Sequence, residues 1–131
     1  MKPKAKILIV DDEEALRFVL AEALAIEGYE VKTAADGDEA ASMAAEENFD
    51  LMMVDLIMPQ KDGFQTIYSI RETFPEIRVI AMSGGAGRNC ESFLRMAARV
   101  GAGQTLAKPF AKAEMLSAIE SELSRTPSGT R

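Results

Sequence analysis

The sequence contains no histidine. Nucleophilic schemes built on a Ser-His-Asp or Cys-His set are therefore excluded. Cys90 is the single cysteine, so no internal disulfide can form and no Cys/His set exists for zinc. No apolar run comes near the ~20 residues of a membrane span. Lys2, Lys4 and Lys6 precede Ile7-Leu8-Ile9-Val10, which superficially resembles a secretory leader. That run meets Asp11-Asp12-Glu13-Glu14 after four residues, short of the about 7–15 that such a leader needs. Basic residues are the minority. Lys+Arg 15 against Asp+Glu 21 gives a formal net charge of −6, the reverse of the basic patch that nucleic-acid binders carry. A cytoplasmic, reduced setting without membrane insertion or direct nucleic-acid contact is the expectation. At 131 residues the chain suits one domain.

What is present is an alternation of short apolar runs with longer amphipathic ones. Ile7–Val10, Leu51–Val54 and Val79–Met82 are apolar on both faces, as strands in the middle of a doubly covered sheet must be. Tyr29–Ala34 alternates and Gln104–Ala107 is short, so both suit sheet edges. Between them, helical spacing marks Asp12–Glu27, Gly37–Glu47, Gly63–Thr73 and Asn89–Val100, with Lys112–Leu123 after the last strand. Strands separated by helices imply crossover connections and a parallel sheet. A flavodoxin-like α/β fold follows, doubly wound, with five parallel strands in the order 2-1-3-4-5 and five helices on two faces. Residues 1–124 read as the domain. Residues 125–131, rich in Ser, Thr, Pro and Gly, read as a tail or linker stub.

In open sheets of this kind ligands bind beyond the carboxyl ends of the strands, where the strand order switches. Every unusual polar residue falls there. Asp11 and Asp12 end the first strand, Asp55 the third, Ser83 the fourth and Lys108 the fifth. Singly, each has a bland reading. Asp11–Glu14 could cap a helix, Asp55 could belong to the turn chemistry before Pro59 and Gly63, and Ser83 and Lys108 could be ordinary strand exits. Jointly, such placement at four strand ends is improbable as decoration. Asp50, at the opposite end of the third strand, receives no role. Three carboxylates brought together repel, so either one holds a proton or a cation neutralises them. With only oxygen ligands available the cation is a hard one, and Mg²⁺ suits carboxylates beside a phosphate oxygen. A carboxylate next to a metal and to Lys108 can accept a phosphoryl group as a nucleophile.

Taken in order, Ile7-Leu8-Ile9-Val10-Asp11-Asp12, Asp55-Leu56-Ile57-Met58-Pro59 with Asp62-Gly63, Met82-Ser83-Gly84, Gly101-Ala102-Gly103 and Lys108-Pro109-Phe110 resemble the receiver domains of two-component response regulators. The likeness covers about residues 5–124. It implies that Asp55 accepts a phosphoryl group from the phosphohistidine of a histidine kinase or a histidine phosphotransfer protein. It implies that Asp12 binds Mg²⁺ directly, that Asp11 does so largely through water, and that the Ile57 carbonyl is a further ligand. Lys108 would pair with the phosphoryl group, Ser83 would donate its hydroxyl to it, and the Lys108–Pro109 bond would be cis. Lacking histidine, the chain cannot itself hold the phosphohistidine. The first helix and the loops around the acids are the expected docking surface, and a downstream protein receives the output.

The sequence departs from this family at two places. Leu106 stands where most receivers have a Tyr or Phe two residues before the lysine, and the stretch after Ser83 is rich in glycine. Output is therefore expected through a change of order in residues 84–89 with a shift of the helix over 89–100, Leu106 keeping one rotamer. Ile57 and Gly85, two residues after Asp55 and Ser83, offer no side-chain group to hold an attacking water, so a long phosphorylated lifetime is expected. Other readings remain to be weighed. A flavin or nucleotide module would want a phosphate-cradling loop where four acids stand. A phosphohydrolase of the haloacid dehalogenase type would want an Asp where Ile57 is. A receiver fold acting as a binding surface without phosphorylation would not need the whole set of Asp11, Asp12, Asp55, Ser83 and Lys108.

Overall fold

Side chains of a strand point alternately to the two faces of a sheet, and here both faces are covered. The computed structural model describes residues 2–56, 63–84 and 90–125. The elements run β1 (Lys6–Val10), α1 (Glu14–Ile26), β2 (Glu30–Ala34), α2 (Gly37–Glu46), β3 (Leu51–Asp55), α3 (Gly63–Thr73), β4 (Arg78–Ser83), α4 (Cys90–Val100), β5 (Gln104–Ala107) and α5 (Lys112–Leu123). The strands form one parallel sheet in the order β2-β1-β3-β4-β5, as the apolar pattern requires. The three doubly apolar strands occupy the centre. The alternating β2 and the short β5 lie at the edges.

Alternation within the central strands splits the core in two. Leu8, Val10, Met52, Val54, Val79 and Ala81 face α2, α3 and α4, packing with Ala40, Ala44, Ile67, Ile70 and Ala97. Ile7, Ile9, Leu51, Met53, Ile80 and Met82 face α1 and α5, packing with Leu20, Leu24, Met115, Ala118 and Ile119. Burial of such side chains, each contributing about 1.5–3 kcal/mol, is the main drive to this fold.

Most elements shift by a residue or two at one end or both from the expected bounds, and three departures have identifiable reasons. α1 begins at Glu14 rather than Asp12, because the Glu13 N–H donates to Asp11 Oδ1 at 2.9 Å and the chain is still turning there. β3 runs one residue further, to Asp55, which pairs in register with Met82. In α5 the buried set is Met115, Ala118, Ile119 and Glu122, so a carboxylate is buried while the apolar Leu123 next to it is only half-buried. Gly103 makes that possible, since a Cβ there would lie 2.1 Å from Glu122 Oε2. Arg125 donates to Glu122 Oε1 at 2.9 Å and to the Gly103 carbonyl at 3.3 Å. Its own carbonyl accepts from Arg78. Residues 126–131 of the expected tail lie outside the described residues.

Candidate functional site

The parallel register carries the ends of β1 and β3 side by side, with Val10 opposite Val54. The next residue on each strand is therefore an aspartate. Asp11 is fully buried, Asp55 is buried and Asp12 is exposed. Carboxylate oxygens of the three all lie within 4.8 Å of one another. Lys108, delivered from the end of β5, places Nζ 2.8 Å from Asp11 Oδ2 and 3.6 Å from Asp55 Oδ1. One ammonium thus faces two of the three acids.

Backbone contacts fix these positions. The Asp11 N–H donates to the Ala34 carbonyl at 3.1 Å, prolonging the β1–β2 edge by one residue. The Leu56 N–H donates to the Met82 carbonyl at 2.8 Å, and the Gly63 N–H to the Leu56 carbonyl at 3.0 Å. Gly63 fits because it has no side chain: a Cβ there would stand 2.2 Å from the Asp55 carbonyl oxygen. Ser83 is fully buried at the end of β4. Its carbonyl accepts from the Lys108 N–H at 2.8 Å. The Lys108–Pro109 bond is cis.

Asp11, Asp12, Asp55 and Lys108 are thus gathered at one end of the sheet, with Ser83 on the neighbouring strand end. Ile57 lies outside the described residues, as do residues 85–89 of the expected switch loop. Asp50 is at the other end, where its Oδ2 accepts from the Lys6 N–H at 2.8 Å. Leu106 is buried among Met82, Met115 and Ile119. One contact has no counterpart in the sequence reading. Arg17 on α1 donates from its guanidinium to the Asp11 backbone carbonyl at 2.7 Å. No side-chain pattern marks it in the sequence, because the group it serves is a backbone carbonyl.

The model of the response regulator receiver domain family matches residues 7–120. The chain belongs to that family. This receiver is 37% identical over 124 residues to the DNA-binding transcriptional regulator NtrC of Azospirillum brasilense, covering 94% of this chain and 25% of that protein. It is 34% identical over 121 residues to the response regulator MprA of Mycobacterium avium, covering 92% of this chain and 52% of the relative. Curated relatives are therefore matched over about a quarter to a half of their length. Among solved structures, the receiver superposes on the chemotaxis protein CheY4 of Vibrio cholerae with a TM-score of 0.80 and 30% identity, covering 90% of this chain and 98% of that one. Receivers of this family serve two-component signalling and are not a family of catalytic enzymes. The acidic cluster of this receiver could hold a metal ion. Among the described residues no helix is long and apolar enough to cross a membrane.

Proposed function

We propose that this receiver is a phosphorylation-dependent switch whose acceptor is Asp55. The observation that carries the reading is the Lys108 ammonium set between Asp11 and Asp55 at 2.8 and 3.6 Å, in a cluster of three carboxylates. An isolated group of buried acids would be costly. A group that shares one lysine and leaves one acid exposed is suited to take up further positive charge, and its all-oxygen donors fit Mg²⁺. Asp12, Asp11 and Asp55 would hold that ion, with the Ile57 carbonyl, and the ion would supply charge stabilisation to the phosphoryl oxygens. Asp55 attacks phosphorus as the bond from phosphorus to the donor's imidazole nitrogen breaks. Lys108 pairs with the arriving phosphoryl oxygens, and Ser83 donates its hydroxyl to one of them. Later hydrolysis of the acyl phosphate returns the carboxylate.

The donor is a histidine kinase or a histidine phosphotransfer protein. Its docking surface is the outward stripe of α1, where Phe18, Val19 and Ile26 are exposed, together with the groove that Leu16, Val19 and Leu20 form with Pro109 and Phe110 beside Lys108. Residues 1–124 act as one unit in the cytoplasm, and the output passes to a downstream protein. Incubation with a small phosphodonor and Mg²⁺, read by intact mass, tests the assignment. One phosphoryl group should add to the wild type and none to Asp55→Asn. Uptake by that variant at the wild-type rate would place the acceptor elsewhere. Absence of uptake by the wild type would favour a binding module that works without phosphorylation.

A further inference from the structure

We propose that Arg17 is a positioning residue for the acidic site: by holding the Asp11 backbone carbonyl it sets the aim of Asp11 and Asp12 toward the metal. The inference rests on the reading of that cluster as the metal and phosphoryl site.

Asp11 is fully buried, and its polar groups have the following partners. Its N–H donates to the Ala34 carbonyl at 3.1 Å. Its Oδ1 accepts from the Glu13 N–H at 2.9 Å and its Oδ2 from Lys108 at 2.8 Å. Its carbonyl accepts from the Arg17 guanidinium at 2.7 Å. The first three contacts fix the strand end and the carboxylate. The fourth fixes the plane of the peptide joining Asp11 to Asp12.

Among the described residues, Arg17 is the one residue of the helix that follows whose side chain donates to that peptide. The N-cap residue Glu13 makes no side-chain cap, so the β1–α1 turn depends on the Asp11 carboxylate and on Arg17 reaching back. Arg17 also donates its own N–H to the Glu13 carbonyl at 3.0 Å, closing the first helical turn. One residue thereby ties both sides of the turn that carries Asp12. With the guanidinium gone, a buried carbonyl loses its donor, which is unfavourable, and the peptide rotates toward water. Rotation there swings Asp12 and loosens the Glu13 N–H from Asp11 Oδ1. Partners that orient metal ligands without touching the metal act in this way.

Arg17 lines a surface recess together with Glu14, Phe18, Ala21, Val31, Lys32 and Thr33. Arg17→Met keeps an unbranched apolar stem there and removes only the donors and the charge. Two measurements on the full chain separate positioning from bulk charge. Titration with Mg²⁺ alone should show Kd raised about tenfold in Arg17→Met, the lower end of what such supporting partners contribute. Amide exchange of the metal-free protein should show faster exchange at Glu13. Arg17→Lys, which keeps one donor, should restore both. Unchanged Kd and unchanged exchange in Arg17→Met would overturn the proposal. A raised Kd with unchanged Glu13 exchange would also overturn it, since Arg17 would then act only as a distant charge. Should Arg17→Met fail to fold, Arg17→Gln carries the same comparison. Wild-type protein that takes no phosphoryl group would count against the function proposed above, while the exchange measurement would still decide the role of Arg17 in the turn.

Discussion

At the scale of single residues, position along the strand decides role. Asp50 and Asp55 bracket the same strand, β3, yet one meets the Lys6 backbone and the other a lysine ammonium within a carboxylate cluster. Asp12→Ala should therefore abolish Mg²⁺ binding, because it removes the exposed acid of the set. Asp50→Ala should leave Mg²⁺ binding intact while lowering stability through the lost bond to Lys6. Equal loss of binding in the two variants, read by titration, would refute the assignment of the site. Gly63 gives a second test. A methyl group there would stand 2.2 Å from the Asp55 carbonyl oxygen and 2.6 Å from the Leu56 Cα, both backbone atoms that cannot step aside. Gly63→Ala should lower stability by about 1–3 kcal/mol, the usual effect of overpacking. It should also slow phosphoryl uptake by displacing Asp55, and a variant equal to wild type in denaturant midpoint and uptake would show that the turn can yield.

At the scale of elements, the pieces are joined at the end of the sheet away from the site by ion pairs. Lys6 on β1 pairs with Glu47 after α2 and approaches Glu30 of β2 at 3.8 Å. Lys32 of β2 reaches the same Glu47 carboxylate at 3.0 Å. The hydrogen bond from Lys6, and next that from Lys32, hold the Glu47 carboxyl below its ordinary range. Its bond to Glu47 in turn raises Lys6. A depressed carboxyl contributes stability that is present above its unfolded value, near 4.5, and is lost as pH falls through the folded value. For the raised lysine the contribution is present below about 10.5 and is lost as pH rises through the folded value. Glu47→Gln should therefore flatten the fall of Tm below pH 4.5, leaving a smaller gap to wild type in acid than at neutrality. Parallel Tm curves across that range would show that the network contributes nothing. The pairs are surface ones, so added salt should shrink the effect.

The order of the elements was legible because burial demands differ between strands: two apolar faces at Ile7–Val10, Leu51–Val54 and Val79–Met82, one at Tyr29–Ala34. The gathering of Asp11, Asp12, Asp55 and Lys108 at one end of the sheet was legible because a parallel sheet sends every strand's carboxyl end to the same side. Arg17 was not, since its use depends on a carbonyl and no side-chain pattern records where a backbone group needs a donor. Glu122 was hidden for a related reason. It is buried because a residue nineteen positions away has no Cβ, and helical spacing carries no trace of that. The start of α1 is two residues later than the acids suggest, because acids are good first-turn residues but the Asp11 carboxylate here holds the turn before the helix.

At the scale of the whole molecule the question is how a change at Asp55 reaches the far surface. Leu106 is buried against Met82 and Met115, with no ring to swing outward and no hydroxyl to bond a loop. Moving it would expose apolar surface without a compensating contact, so it should keep one rotamer. Ser83, by contrast, lies at the end of β4, and a bond from its hydroxyl to a phosphoryl oxygen would draw the following residues inward. Gly84 is close to the Lys108 stem, where a Cβ would stand 3.1 Å from Cδ. Glycine can adopt backbone conformations that other residues avoid, and the sequence has glycine at 84, 85 and 87. The expected switch is therefore a change of order over residues 84–89 that shifts α4. A phosphoryl mimic at Asp55 should slow amide exchange across residues 84–100 and leave the Leu106 side chain unmoved. Unchanged exchange there together with a new Leu106 rotamer would reverse the argument. Gly85→Pro should impede the closure and weaken the partner's response, while uptake of phosphate at Asp55 stays largely intact.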